Sequence, residues 1–126
     1  NTLKKEPAIS LPTGFQAEWI KPTADFAMIG TSNVGNKGEA EIFFWDRAAA
    51  TFNARYGVGD TAALAGFVVG GIPFIITKKG DINRFTGQGF RTVNSFPTAE
   101  AKDVVVDIHP NGVVVDQQYV EHAGLD

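Results

Sequence analysis

Hydrophobic residues in this chain fall in short runs broken by glycine-centred polar turns. Three stretches share one plan of strand, turn and second strand. Phe26-Ala27-Met28-Ile29 and Ile42-Phe43-Phe44-Trp45-Asp46 flank Gly38, and Phe74-Ile75-Ile76-Thr77 and Asp81-Ile82-Asn83-Arg84-Phe85 flank Gly80. Val104-Val105-Val106-Asp107 and Val113-Val114-Val115 lie on either side of Gly112. The three turn glycines are 42 and 32 residues apart, the order of spacing at which repeated β units announce themselves.

Read residue by residue, the pattern predicts strands at 26–30 and 39–46, then at 62–69, 72–77, 81–85 and 90–94, and finally near 103–108 and 112–120. Gly70-Gly71 and Lys79-Gly80 supply tight turns, and Asn111-Gly112 is the strongest short hairpin signal. Residues 47–56 fit two readings. Ala48, Phe52 and Tyr56 lie on one helix face, yet the same even spacing puts them on one face of a strand. The similarly placed segment Gly89–Phe96 favours the strand, which is the expectation here. Pro7, Pro12 and Pro22 forbid a helix interior in the first 25 residues. That stretch is expected to be an extended arm anchored by Phe15, Trp19 and Ile20, with the β domain running over 26–126.

Residues 62–97 hold four short strands with Gly-Gly-Ile-Pro-Phe-Ile-Ile-Thr, Lys-Lys-Gly-Asp-Ile, Phe-Thr-Gly-Gln-Gly-Phe and a closing Phe96-Pro97. This order resembles irregular, kelch-like β-propeller blades, and the likeness extends to propeller segments of phage or viral structural proteins. Trp45-Asp46 lacks the Gly-His partner of WD repeats, and no Asp-box is present. The resemblance implies an all-β fold of propeller-like four-stranded antiparallel units, two to three in number and forming an incomplete ring. A β-sandwich or barrel is the alternative architecture. Propellers close with about 4–8 blades, so this length implies a piece of a larger ring, closure with other copies, or one of those alternatives. The chain opens at Asn1 rather than Met, which suits a processed product, a fragment or the ordered part of something longer.

Composition narrows the function classes. The net charge of −3 gives no general basic face, so nucleic acid is not an expected partner. No apolar run reaches the ~18 residues of a membrane helix. Without cysteine, disulfides, thiol nucleophiles and cysteine-ligated metals are excluded. Charge is unevenly spread: Lys78, Lys79, Arg84 and Arg91 cluster before an acidic stretch with Asp103, Asp107, Asp116, Glu121 and Asp126. Such asymmetry could serve complementary docking between subunits.

Catalytic signals are sparse. His109 sits in a predicted turn and His122 in a polar tail, although Asp107 or Asp116 could place a carboxylate beside His109. No glycine-rich piece fits a phosphate-binding loop, and no serine sits in a nucleophile elbow. No cofactor or metal is implied. The aromatic set Phe43, Trp45, Phe52 and Tyr56 is the one candidate binding platform. Phe43 and Trp45 share a strand face that Phe44 lacks. Exposed, that face would stack sugars or dock protein; covered, it is core. The expected function is a non-catalytic structural or protein-binding component of a larger assembly, such as a virion, tail or surface filament, with other subunits or further blades as partners and a virion or extracellular location. The alternatives are a carbohydrate-binding module with glycan partners and a fragment of a propeller enzyme.

Overall fold

A computed structural model of the chain describes residues 9–34, 38–95, 106–115 and 118–126. The protein is all-β. Its first sheet is the meander β1 (Phe15–Pro22), β2 (Phe26–Asn33), β3 (Glu41–Asp46) and β4 (Thr51–Gly57). The second is the meander β5 (Ala63–Val69), β6 (Ile72–Thr77), β7 (Asp81–Phe85) and β8 (Phe90–Ser95). The third has β9 (Val106–His109), β10 (Gly112–Val115) and β11 (Gln118–Glu121), with β10 in the centre. A 3-10 turn, His122–Leu125, follows. Among the described residues all pairings are antiparallel, and no sheet closes into a barrel.

The sheets share faces, and side-chain alternation decides which residues go where. Met28, Ile42 and Phe44 point from the first sheet onto Ala63 and Ile75 of the second. On the opposite face of the second sheet, Phe67, Phe74, Ile76 and Ile82 meet Val113, Val115 and Leu125. The remaining face of the first sheet, with Ala27, Ile29, Phe43 and Trp45, is covered by Ile9, Leu11 and Phe15. Burying each such large side chain contributes about 1.5–3 kcal/mol, and the first two of these layers hold the sheets together. This layering is compatible with propeller-type blades and with a sandwich.

One side chain joins the first two sheets more specifically. Trp19 points inward from β1 and donates its indole N–H to the carbonyl of Ala63 on β5 (2.9 Å). Its ring lies over Gly30 on β2 and Gly66 on β5, where a Cβ on either glycine would overlap the indole. A backbone bridge between Ser32 and Ala62 reinforces the junction. The glycines therefore make room for a tryptophan that fastens one meander to the next.

Several expectations change. The boundary drawn at residue 25 falls between two paired strands, because Phe15–Pro22 is a member of the first sheet. Pro22 is tolerated there because β1 is an edge strand. The first meander is thus as complete as the second. Residues 51–57 form a strand, as expected. The strand expected over 112–120 is two strands. The last hairpin turns at Pro110-Asn111, with Gly112 already in β10. Glycine is needed at 112 for a different reason, since a Cβ there would collide with the backbone carbonyl of Val120. The expected strand residues 103–105 and the closing Phe96-Pro97 lie outside the described residues.

Every edge strand of the two four-stranded sheets carries a β-bulge. The register slips at Glu18 on β1 and at Asn53 on β4. It slips again at Leu64 on β5 and at Val93 on β8. An extra residue on one strand reverses the facing of everything beyond it and twists the edge away from straight pairing. The bulge at Glu18 lets Phe15 face Phe43 while Trp19 faces the second sheet, although the two residues have the same sequence parity.

Candidate functional site

The four aromatic residues expected to form a platform do not share one surface. Phe43 and Trp45 do lie on one face, but they are only 1% and 8% exposed. Phe52 joins them, with its ring 5.0 Å from Trp45 and 5.5 Å from Phe43. Tyr56 does not. Trp45 pairs with Phe52 and Phe44 with Ala54, so Asn53 is the unpaired extra residue, and Tyr56 turns to the opposite face beside Ile42. Even spacing predicts a shared face only where the ladder is unbroken.

The buried face is sealed at one side by charge. Arg55 holds the Glu41 carboxylate with two hydrogen bonds, 2.5 and 2.8 Å, and its guanidinium stands 4.9 Å from the Phe43 ring centre and 5.4 Å from that of Phe15. The Arg55 hydrogen bonds hold Glu41 below the usual carboxylate range; partial burial opposes the shift, and the Arg55 charge adds to it. The arrangement is a lid on a core. It offers no free acid or base.

Tyr56 enters a second aromatic group between the first two sheets. Its ring lies 5.1 Å from Phe85 and 5.9 Å from Phe44, and Phe26 and Phe90 complete the cluster. Where this cluster reaches the surface it leaves a cleft of about 380 Å³, bordered by Tyr56, Phe26, Phe85, Pro73 and Asn53. That volume lies within the usual range for small-molecule sites. The cleft offers ring faces, the Tyr56 hydroxyl and the Asn53 amide: stacking and hydrogen bonding, with no ionisable pair. The set missed from the sequence is Phe26, Phe85 and Phe90. Phe85 and Phe90 flank the turn Thr86-Gly87-Gln88-Gly89 and pair across it, a symmetry readable in the sequence.

Two loop carboxylates serve the backbone. Glu39 accepts the Gly59 N–H (2.6 Å), and Asp60 accepts those of Thr61 (2.6 Å) and Lys79 (2.8 Å), clamping the ends of the first two sheets together. Among the described residues no group of three or more His, Asp or Glu side chains could hold a metal. Asp107 and His109 stand on the same face of β9, both exposed. The charge asymmetry is met partly within the chain. Arg84 donates to the Leu125 carbonyl (3.1 Å), Arg91 to that of Asp126, and Asn94 to that of Gly124 (3.3 Å). These bonds pin the tail so that Leu125 is buried under the second sheet. No helix among the described residues is long and apolar enough to cross a membrane.

No protein-family model, curated protein or solved structure matches this chain.

Proposed function

We propose that this chain is a non-catalytic structural or protein-binding component of a larger assembly, of the virion, tail or surface-filament kind. The observation that carries this reading is the third sheet. Among the described residues it has three strands where its neighbours have four, and it leaves Ile108 54% and Tyr119 52% exposed. Large apolar groups left exposed on a short sheet suit contact with another subunit. The Glu39 and Asp60 carboxylates act as backbone clamps, which also suits a structural role. Sedimentation velocity from low-micromolar to sub-millimolar concentration tests it. Reversible association is expected, and a chain that stays monomeric over that whole range overturns the reading.

The cleft beside Tyr56 favours a second reading, carbohydrate binding. An accessible aromatic ring next to an amide is the chemistry that stacks and hydrogen-bonds a sugar. The acceptor is then Tyr56 with Asn53, since Phe43 and Trp45 are core. A glycan array should show binding that disappears in Tyr56→Ala. No binding, or binding indifferent to that substitution, removes it.

A further inference from the structure

The edges of the sheets differ in a way that singles out one of them. β1, β4, β5 and β8 are all interrupted by bulges. β9 and β11 pair with β10 without a register shift. β11 runs straight into the 3-10 turn that tucks Leu125 into the core. β9 has no such cover among the described residues: Asp107, Ile108 and His109 are all exposed, and no described strand pairs with its outer side. A regular edge bearing a large apolar side chain is a template for another strand.

Its backbone polarity follows from the hairpin. His109 and Gly112 flank a two-residue turn and pair with each other. In that geometry they exchange their N–H and C=O groups, and the alternation of an antiparallel ladder makes Asp107 and Val114 the next such pair. The N–H and C=O of Ile108 therefore point away from β10, to the open side. A strand adding there must place its own hydrogen-bonding residue opposite Ile108.

The sequence of β9 fits itself. Residues opposite each other in a ladder share a face, so a self-pairing must match odd positions with odd and even with even. Centring a two-fold axis on Ile108 sets Ile108 against Ile108 and sets Asp107 against His109 at both ends. The alternative centre, Asp107, would oppose two carboxylates. We propose that β9 pairs antiparallel with β9 of a second copy of this chain about a two-fold axis at Ile108, each Asp107 lying opposite His109 of the other copy. The proposal rests on the assembly reading above and names its surface and partner. The joined sheet has six strands, covers the exposed Ile108 and places two acid–imidazole pairs on its outer face. A contact this short buries less than a standard interface of ~1,600 Å², so the affinity is expected to be weak, on the order of 100 µM.

The test is sedimentation equilibrium over a range of protein concentrations, with circular dichroism and thermal melts to confirm folding. Ile108→Lys opposes two cations at the axis and should weaken association about tenfold or more. Asp107→His sets imidazole against imidazole, and His109→Asp sets carboxylate against carboxylate; each should weaken it roughly three- to tenfold. The double variant Asp107→His, His109→Asp recreates both opposite-charge pairs and should return the dissociation constant to within about threefold of the original. An unmodified chain that associates while all these variants behave alike overturns the β9 pairing and leaves the assembly reading intact. A chain monomeric throughout overturns both.

Discussion

Replacing Gly66 by alanine should destabilise the protein while Trp19 is present and stabilise it once Trp19 is gone. Gly66 lies under the far end of the indole, and a Cβ there cannot be placed without moving the ring. The ring is held by its N–H bond to Ala63 and packs among the residues joining the two sheets, so it has little room to yield. Overpacking of this kind costs about 1–3 kcal/mol. Gly66 does not have a left-handed backbone, so alanine would otherwise gain roughly 0.5–1 kcal/mol by lowering the conformational entropy of the unfolded chain. The net expectation for Gly66→Ala is a loss of about 1–2 kcal/mol. Trp19→Ala should cost about 3–5 kcal/mol through the cavity, plus about 1 kcal/mol for the orphaned Ala63 carbonyl. In that background the added methyl enters empty space, and Gly66→Ala should become neutral or favourable. The coupling between the two sites is then about 2 kcal/mol. Urea unfolding followed by far-ultraviolet circular dichroism, on both single variants and the double, measures it. Equal effects of Gly66→Ala in the two backgrounds would refute the account of Trp19 as a wedge over paired glycines.

Thr77 is 1% exposed and its hydroxyl has no hydrogen-bond partner, so Thr77→Val should raise stability by about 1 kcal/mol, seen as a higher melting temperature; no change or a loss would mean the hydroxyl is satisfied in solution. Glu41, whose ionised form Arg55 favours, contributes stability that is complete above its unfolded value near 4.5 and lost as pH falls through its lower folded value. With Arg55 about half exposed, the effect of Glu41→Gln should stay under ~1 kcal/mol at pH 7 and shrink as pH falls below the unfolded value and through the lower folded one, as denaturant midpoints across pH would show. Deleting Asn53 removes the bulge and forces either Phe52 or Tyr56 to the wrong face; a loss of about 3 kcal/mol or more is expected in urea unfolding, and a near-neutral deletion would contradict the register described.

How much of this could be read from the chain is a question of parity. Ile72–Thr77 and Asp81–Phe85 have the bounds the pattern predicts, because glycines with left-handed backbones at 70, 71 and 80 fix where those strands begin. β1 is obscured by its own exposure. Six of its eight residues are solvent-facing and a proline ends it, so it reads as an arm although Trp19 and Phe15 are anchored on opposite faces. The shared face of Phe43 and Trp45 was legible, and core was its better reading; what covers it was not, since Ile9 and Leu11 lie outside the meander. Tyr56 departs from the expected face because Asn53, a polar residue between Phe52 and Ala54, gives no sign that the ladder skips it. Bulges are set by pairing between strands, and a single strand's sequence does not contain the partner.

Those bulges also change what an unclosed stack implies. Taken from the hydrophobic pattern alone, two or three meanders that cannot form a ring should seek further strands at their free edges. Here the four edges of the larger sheets are bulged, which discourages that route. The outer faces are treated differently at the two ends. Ile9, Leu11 and Phe15 cover most of the first sheet's outer face and leave Ile20 at its edge exposed. The outer side of the third bears Asp107, His109 and Glu121 around Tyr119, by the alternation of its ladders. A polar outer face is the device by which stacked repeats end without aggregating. A fourth sheet laid on that face would have to bury these charges, at a cost that pairing along a strand avoids. Extension of the stack is therefore the less favourable route to assembly, and lateral contact at the regular edge of the third sheet is the more favourable one.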